Sequence, residues 1–150
     1  MGGDALISVR LPSITRGVYC SEAYVERHGR PQSISDLKDH AIVAYSGLVA
    51  TLHFSVAFMS FVPKAKVATT CNSIPNMTGA VRAGLGAGLL PVIVGCATPG
   101  LLLCFAAPVE TDSHWWLVAS PQAYQQPRVR SFMPFAAERI RHDTSGGLRN

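Results

Sequence analysis

The segment from residue 70 to residue 91 limits the choice of fold more than any other part of this chain. Asn72 or Ser73 can cap a helix, and Pro75 then falls in the first turn, where proline is favoured. Three large apolar side chains follow at four-residue spacing and share one helix face: Met77, Val81 and Leu85. Glycines at positions 84, 86 and 88 end this helix, and an apolar Leu-Leu-Pro run leads from a short strand into a second helix. The pattern predicts a helix packed on a sheet.

The rest of the chain alternates between strand-like and helix-like segments. Apolar runs and polar–apolar alternation predict strands at 4–9, 16–20, 41–45, 52–59, 64–70, 101–105 and 114–119. Helices are expected after the N-cap Ser21 and before Gly29, in a turn at 37–40 led by Ser33 and Asp36, and at 92–97 and 127–141. The last helix is expected to bury five side chains: Val129, Phe132, Phe135, Ala136 and Ile140. Together these segments predict an α/β fold with a mostly parallel sheet, right-handed crossovers and flanking helices.

The composition is that of a globular domain, since 48% of the 150 residues are hydrophobic and 15% are charged. The net charge is +4, and five arginines lie between Arg128 and Arg149, a pattern more typical of a solvated helix face than of a DNA site. The uncharged stretches 41–62 and 84–109 are long enough for a bilayer, but their polar residues and prolines indicate core segments. No export signal is recognised, so we expect a cytoplasmic protein without membrane contact.

Several kinds of functional site have no support in the sequence. The glycine cluster at 84–88 follows a helix, whereas a phosphate loop precedes one. The histidines show no metal spacing, and no carboxylate pair lies in an apolar setting suited to acid–base catalysis. The four cysteines show no chelating or redox spacing and are expected to be reduced, small apolar residues: Cys20, Cys71, Cys96 and Cys104. We therefore expect no enzyme, no metal and no cofactor.

One ligand site is nevertheless indicated, because ligands of open α/β sheets bind outside the carboxyl ends of the strands. Thr70, Cys71, Asn72 and Ser73 occupy a strand-to-helix junction, where hydroxyl, amide and free N–H groups suit a carboxylate. Arg10 ends another predicted strand and can add a positive charge for the same anion. Plain helix capping by Asn72 and Ser73, and a surface charge at Arg10, remain equal alternatives at this point.

The order of short motifs resembles that of the effector-binding domain of LysR-type transcriptional regulators. The motifs are DALISVR (4–10), YCSEAYVERHGRP (19–31), DLKDH (36–40), AVRAGLGAGLLP (80–91), PGLL (99–102), WLV (116–118) and PRVRSF (127–132). No single motif is specific, but their order spans residues 4–141.

The resemblance implies a type 2 periplasmic-binding-protein-like fold of two α/β lobes with a small effector between them. We expect the chain to form one truncated domain: a complete second lobe at 17–114, crossovers and a remnant of the first lobe at 4–16 and 115–142, and a frayed tail at 143–150. The helix-turn-helix and the first half of the first lobe are expected to be missing. Family members bind effectors near positions matching Arg10 and Thr70–Ser73, which agrees with the site indicated above.

The sequence thus favours a non-enzymatic sensor fragment that binds a small organic anion or acts as a dimerising interaction module. Apolar faces of the first-lobe remnant favour a homodimer, and pairing with an intact LysR-type regulator is a related hypothesis. The alternatives are a small enzyme that uses Cys71 or His53, and a decayed remnant without a ligand.

Overall fold

A five-stranded mixed sheet with helices packed on it forms the larger part of the molecule. The computed structural model describes residues 5–146, with side chains described as far as residue 143. The seven strands are β1 (Ile7–Arg10), β2 (Arg16–Ser21), β3 (Ile42–Tyr45), β4 (Val67–Cys71), β5 (Ala87–Pro91), β6 (Leu101–Ala106) and β7 (Trp116–Ala119). The seven α-helices are α1 (Glu22–His28), α2 (Gly47–Ala50), α3 (His53–Met59), α4 (Ile74–Arg82), α5 (Val92–Ala97), α6 (Pro121–Tyr124) and α7 (Pro127–Gly146). Short 3₁₀-helices occupy Ile34–Asp39, Lys64–Lys66 and Val109–Thr111.

The chain divides into two compact units. One comprises Thr15–Ser113 and contains the five-stranded sheet in the order β4-β3-β5-β2-β6. The other combines Met1–Ile14 with His114–Asn150, and its described part holds the antiparallel pair β1–β7 together with α6 and α7.

The direction of β2 departs from a simple parallel sheet. β3 pairs in parallel with β4 and β5, whereas β2 pairs antiparallel with both β5 and β6. Four of the five strands therefore run in the same direction, as predicted, and the reversed strand lies between two of them. β2 is buried along its whole length, so its residues contribute to the core on both faces of the sheet. As a result, β2 begins at the edge of the sheet where its neighbours β5 and β6 end.

Two glycines explain how tightly α4 and β5 pack. A Cβ at Gly86 would lie 2.5 Å from the carbonyl oxygen of Ala41, and Gly86 has a positive φ of 157°. A Cβ at Gly88 would lie 2.5 Å from Cγ2 of Val81 and 2.7 Å from the sulfur of Met77. The glycine cluster therefore serves close packing of the α4–β5 connection.

The local signals in the sequence placed several elements correctly. Ser21 caps α1 by accepting the N–H of Tyr24, and Gly29 follows the helix with a positive φ of 81°. Asp36 accepts the backbone N–H groups of Gln32 and Ser33 and so fixes the predicted turn. The predicted strands at 16–20, 41–45 and 101–105 and the helix at 92–97 match β2, β3, β6 and α5 within a residue.

The strand predicted at 52–59 is wrong, because this segment forms α3. Phe54 and Phe58 are four residues apart, and both are buried on the inner face of the helix together with Ser55. Val56, which the alternating pattern placed with the two phenylalanines, is 57% exposed. Phe54 and Phe58 fit the period of a strand or of a helix, and the exposure of Val56 distinguishes the helix from the strand.

Other element boundaries and faces were also misplaced. The strand predicted at 64–70 begins only at Val67, after a 3₁₀ turn, and the strand predicted at 114–119 begins at Trp116. α4 ends at Arg82, so Leu85 lies beyond it and is half exposed instead of sharing the face of Met77 and Val81.

The buried face of α7 also differs from the prediction. The helix buries Met133 and Ala137, while Phe132 and Phe135 are more than half exposed and Ile140 is 37% exposed. Val129 and Ala136 are half-buried, so the inward face is rotated by about one residue. α7 also continues through Pro134 to Gly146, beyond the predicted end at 141. Residue 4 of the first predicted strand and residues 147–150 of the predicted tail lie outside the described part of the chain.

None of the helices in the described residues is both long enough and apolar enough to cross a membrane.

Candidate functional site

The carboxyl ends of three parallel strands meet at one edge of the larger sheet. β3 ends at Tyr45 and β4 at Cys71, which face each other in the register of the two strands. The backbone N–H of Ser46 donates to the Cys71 carbonyl at 2.8 Å and holds the two strand ends together. β5 ends at Pro91, opposite Arg16 at the start of the reversed strand β2. Residues with very different sequence positions are thus placed along a single edge.

The predicted residues 70–73 form the turn from β4 into α4 at this edge. Thr70 and Asn72 are exposed, whereas Cys71 and Ser73 are half-buried. The Ser73 hydroxyl caps α4 by accepting the N–H of Asn76 at 3.2 Å. The Asn72 side-chain oxygen accepts from the Asn76 amide nitrogen at 2.9 Å. These four residues are therefore adjacent, and Ser73 is the residue that provides the predicted cap.

The N-terminus of α4 offers few unused backbone donors. Pro75 has no N–H, and the N–H groups of Asn76 and Met77 both bond to Ser73. Any ligand at this turn would meet side-chain donors first, in particular the Thr70 hydroxyl and the amides of Asn72 and Asn76. Free helix N–H groups, which the sequence predicted at this turn, are therefore scarcer than expected.

Arg10 belongs to the other compact unit, where it ends β1. Its Nη2 donates to Nδ1 of His114 at 3.2 Å, and the Ser13 hydroxyl lies 2.9 Å from the same nitrogen. The guanidinium also lies over the Trp116 ring, 5.8 Å from its centre. Arg10 is exposed, so its charge faces solvent while its orientation is held by these neighbours.

Arg16 is a second cation, which the sequence analysis noted only as the start of a strand. It is 5% exposed, and its Nη1 donates to the Thr111 carbonyl at 2.6 Å and to the Ser113 hydroxyl at 2.9 Å. Its guanidinium stacks on Phe54, 3.8 Å from the ring centre. Burial lowers the pKa of Arg16, and nearby Tyr45 and Asp112 act in the opposite direction. Among the described residues, Nε of Arg16 has no hydrogen-bond partner.

The arrangement assigns Arg16 a mainly structural role at the edge of the sheet. It joins the start of β2 to the turn before residue 114 and to the first turn of α3. A lone arginine at the head of an apolar strand was the only available signal, and it does not reveal partners almost 100 residues away.

The residues considered for catalysis do not form a recognisable reactive centre. Cys71 is half-buried at the end of β4, and His53 is exposed in the first turn of α3. Tyr45 donates to the Leu89 carbonyl at 2.9 Å, and burial raises its pKa. Within residues 5–146, no group of three or more His, Cys, Asp or Glu side chains is arranged to hold a metal ion.

Known structures share this fold. The chain is similar to the regulatory domain of CrgA, a LysR-type transcriptional regulator from Neisseria meningitidis, with 20% identity and a TM-score of 0.68, over 93% of this chain and 71% of that one. It is also similar to the effector-binding domain of AmpR from Citrobacter freundii, with 15% identity and a TM-score of 0.64, over 94% and 72% of the two chains. Against full-length AphB from Vibrio cholerae the values are 15% and 0.62, and the match covers 90% of this chain and 48% of that one.

These structural matches, at 15–20% identity, establish the fold, and they confirm the predicted periplasmic-binding-protein-like α/β class. Comparison with curated protein sequences gave no significant match. The family model described as the LysR substrate binding domain matches residues 3–141, almost the whole chain. The protein therefore belongs to the LysR substrate-binding domain family, as the motif order indicated.

Proposed function

We propose that this chain senses a small organic anion, without catalysing a reaction, as part of a LysR-type regulator. Membership of the family supports a regulatory, ligand-sensing role. The observation that carries the choice of ligand is the turn at Thr70–Ser73, where exposed hydroxyl and amide groups lie at the carboxyl edge of the sheet.

The charge around this turn favours an anion over a cation. The segment from Lys64 to Arg82 contains three basic residues and no Asp or Glu. The positive end of the α4 dipole also points to the turn, which adds a modest preference for negative charge. Thr70 and Asn72 supply neutral donors that can bind a carboxylate without the desolvation cost of a buried ion.

Arg10, at the end of β1, is also proposed as an anion-binding residue. Its exposed guanidinium has donor groups beyond the Nη2 that bonds His114, so a carboxylate can be bound in bidentate fashion. The unit Thr15–Ser113 is the proposed effector-binding lobe, and residues 5–14 and 114–142 are the proposed crossovers and part of the first lobe.

A thermal-shift series with benzoate, succinate and sulfate tests the anion site. A ligand at 100 times its Kd should stabilise the chain by about 2.7 kcal/mol, which raises Tm by roughly 5–11 °C for a chain of this size. Thr70→Val, Asn72→Ala and Arg10→Met should each reduce this shift. Thr69→Val is the matched control, because Thr69 neighbours Thr70 but faces the opposite side of β4. Equal shifts in Thr70→Val and Thr69→Val, or no shift with any anion, would count against the site.

Self-association is a second candidate function, supported by apolar side chains in the smaller unit. Six large apolar residues in its described part are more than half exposed: Leu6, Trp115, Trp116, Val118, Phe132 and Phe135. Exposed apolar surface of this kind favours an interface, and we propose a homodimer or pairing with an intact LysR-type regulator. Sedimentation analysis should show a dimer that Phe135→Glu weakens, and a monomer at all concentrations would refute this proposal.

A further inference from the structure

Two cysteines that are far apart in the sequence lie on the neighbouring strands β2 and β6 of the larger sheet. β6 is an edge strand, and its pairing with β2 shifts between Val18 and Tyr19. Val18 faces Phe105 and Tyr19 faces Leu103, so Cys104 is the extra residue of a β-bulge. Cys20 lies on β2, next to Tyr19. Cys20 is fully buried, and Cys104 is half-buried.

Arg30 completes this cluster. Its Nη2 donates to the carbonyl oxygen of Leu103, the residue before Cys104. The guanidinium of Arg30 is therefore held beside the bulge, where its positive charge acts on the Cys104 sulfur. Arg30 itself is exposed, so the cluster is open to solvent on this side.

The two thiols are in different electrostatic situations. A hydrogen bond from the Cys20 thiol lowers the pKa of Cys104, and the Arg30 charge and the Cys20 backbone N–H act in the same direction. Burial opposes this effect on the Cys104 pKa without reversing it. The pKa of Cys20 is raised, first by its hydrogen bond to Cys104 and then by burial. Of the two thiols, Cys104 is therefore the one that loses its proton more readily, while Cys20 keeps its proton.

We propose that Cys104 is a thiol-oxidation site that reacts with hydroperoxides, and that Cys20 is its resolving thiol. The pair combines a thiol next to an arginine, partial access to solvent and a second thiol on the neighbouring strand, which together favour selective oxidation. The proposal rests on the cysteine cluster alone and is independent of the anion site.

The proposed oxidant is a hydroperoxide, ROOH. The Cys104 thiolate attacks one peroxide oxygen, the O–O bond breaks, and Cys104 becomes a sulfenic acid while RO⁻ takes up a proton to give ROH. The Cys20 sulfur then attacks the sulfenic sulfur, the S–O bond breaks, and the hydroxyl leaves as water with the Cys20 proton. Two thiols are oxidised to a disulfide, and the hydroperoxide is reduced to ROH and water.

Peptide mapping of the full chain after brief treatment with hydrogen peroxide tests the proposal. The first product should be an intramolecular Cys20–Cys104 disulfide, with a loss of two hydrogen atoms from the intact mass. Cys96 is exposed and Cys71 is half-buried, so Cys96→Ser and Cys71→Ser serve as controls that should leave this product unchanged. In Cys20→Ser, the reaction should stop at a Cys104 sulfenic acid that dimedone traps.

The arginine supplies a second, independent readout. Arg30→Gln should slow Cys104 oxidation about fivefold, as expected for loss of one nearby charge at a partly exposed site. Arg30→Lys should retain most of the wild-type oxidation rate. Arg27→Gln, in the last turn of the preceding helix α1, should change the oxidation rate less than about twofold.

Oxidation of Cys96 before Cys104, or a wild-type product without the Cys20–Cys104 bond, would overturn the proposal. If Cys20→Ser does not fold, the mapping of the wild-type chain still decides it.

Discussion

Replacement of Arg16 by methionine should destabilise the unit that contains the larger sheet. Methionine keeps most of the unbranched side-chain length and removes the guanidinium, so the apolar contact with Phe54 is largely retained while the hydrogen bonds are lost. Arg16 is 5% exposed and makes two bonds, to the Thr111 carbonyl and the Ser113 hydroxyl. The change therefore tests whether this buried cation stabilises the fold.

The magnitude follows from these contacts. A hydrogen bond from a charged donor contributes about 1.5–3 kcal/mol, and the Thr111 carbonyl has to find another partner once it is lost. The cation–π contact with Phe54 adds about 1–2 kcal/mol. Removing a desolvated guanidinium whose Nε lacks a partner among the described residues returns part of this energy. We expect a net loss of about 2–4 kcal/mol in the free energy of unfolding.

Urea unfolding followed by far-UV circular dichroism measures this loss. Tryptophan fluorescence is unsuitable, because both tryptophans belong to the other unit. Hydrogen exchange adds a local readout, since the Thr111 N–H, bonded to the Pro108 carbonyl, should exchange faster in Arg16→Met. Arg82→Met is the control, because Arg82 is exposed at the end of α4 and its loss should cost less than about 0.5 kcal/mol. Equal stability of Arg16→Met and Arg82→Met would refute the structural role of Arg16.

Two further predictions test the observed geometry. Met133→Ala should lower the free energy of unfolding by about 2–4 kcal/mol, because α7 buries Met133. Phe132→Ala should change the free energy of unfolding by less than about 0.5 kcal/mol, because Phe132 is exposed. Thermal melts of both variants test this, and the reverse order of stability would support the helix face predicted from the sequence. Asp36 accepts two backbone N–H bonds, which lower its pKa in the folded protein. Its stabilising effect is therefore present above its pKa in the unfolded chain, about 3.9, and is lost as the pH falls through its lower pKa in the folded protein. Asp36→Asn should remove this contribution, and identical acid-unfolding profiles of the two proteins would contradict it.

Elements with strong local signals were predictable from the sequence. The cap at Ser21 marks the start of α1 and Gly29 marks its end, while Ser73 and Pro75 mark the start of α4. These signals are local, because capping depends on residues within one helical turn. The α3 segment was predicted incorrectly as a strand, because it lacks such local signals. Its apolar spacing fits two periods, and only packing against the rest of the unit selects the helix.

In the candidate site, too, the local features were predictable and the long-range contacts were not. The turn at Thr70–Ser73 was predictable, since it is one continuous strand-to-helix junction. The contacts of Arg16 and the pairing of Cys20 with Cys104 were not, because they depend on β2 running against its neighbours and on a bulge in β6. Sequence spacing of 84 residues between two cysteines carries no information about whether their strands are adjacent.

The bulged edge strand β6 also has a consequence for how this chain avoids aggregation. An open sheet edge offers unpaired backbone groups to the strands of other molecules, and natural proteins block such edges with bulges and charged side chains. β6 has such a bulge at Cys104, and Arg30, which follows α1, donates to the Leu103 carbonyl. Replacement of Arg30 would remove this donor, and we expect the edge to become more open to strand addition by a second molecule.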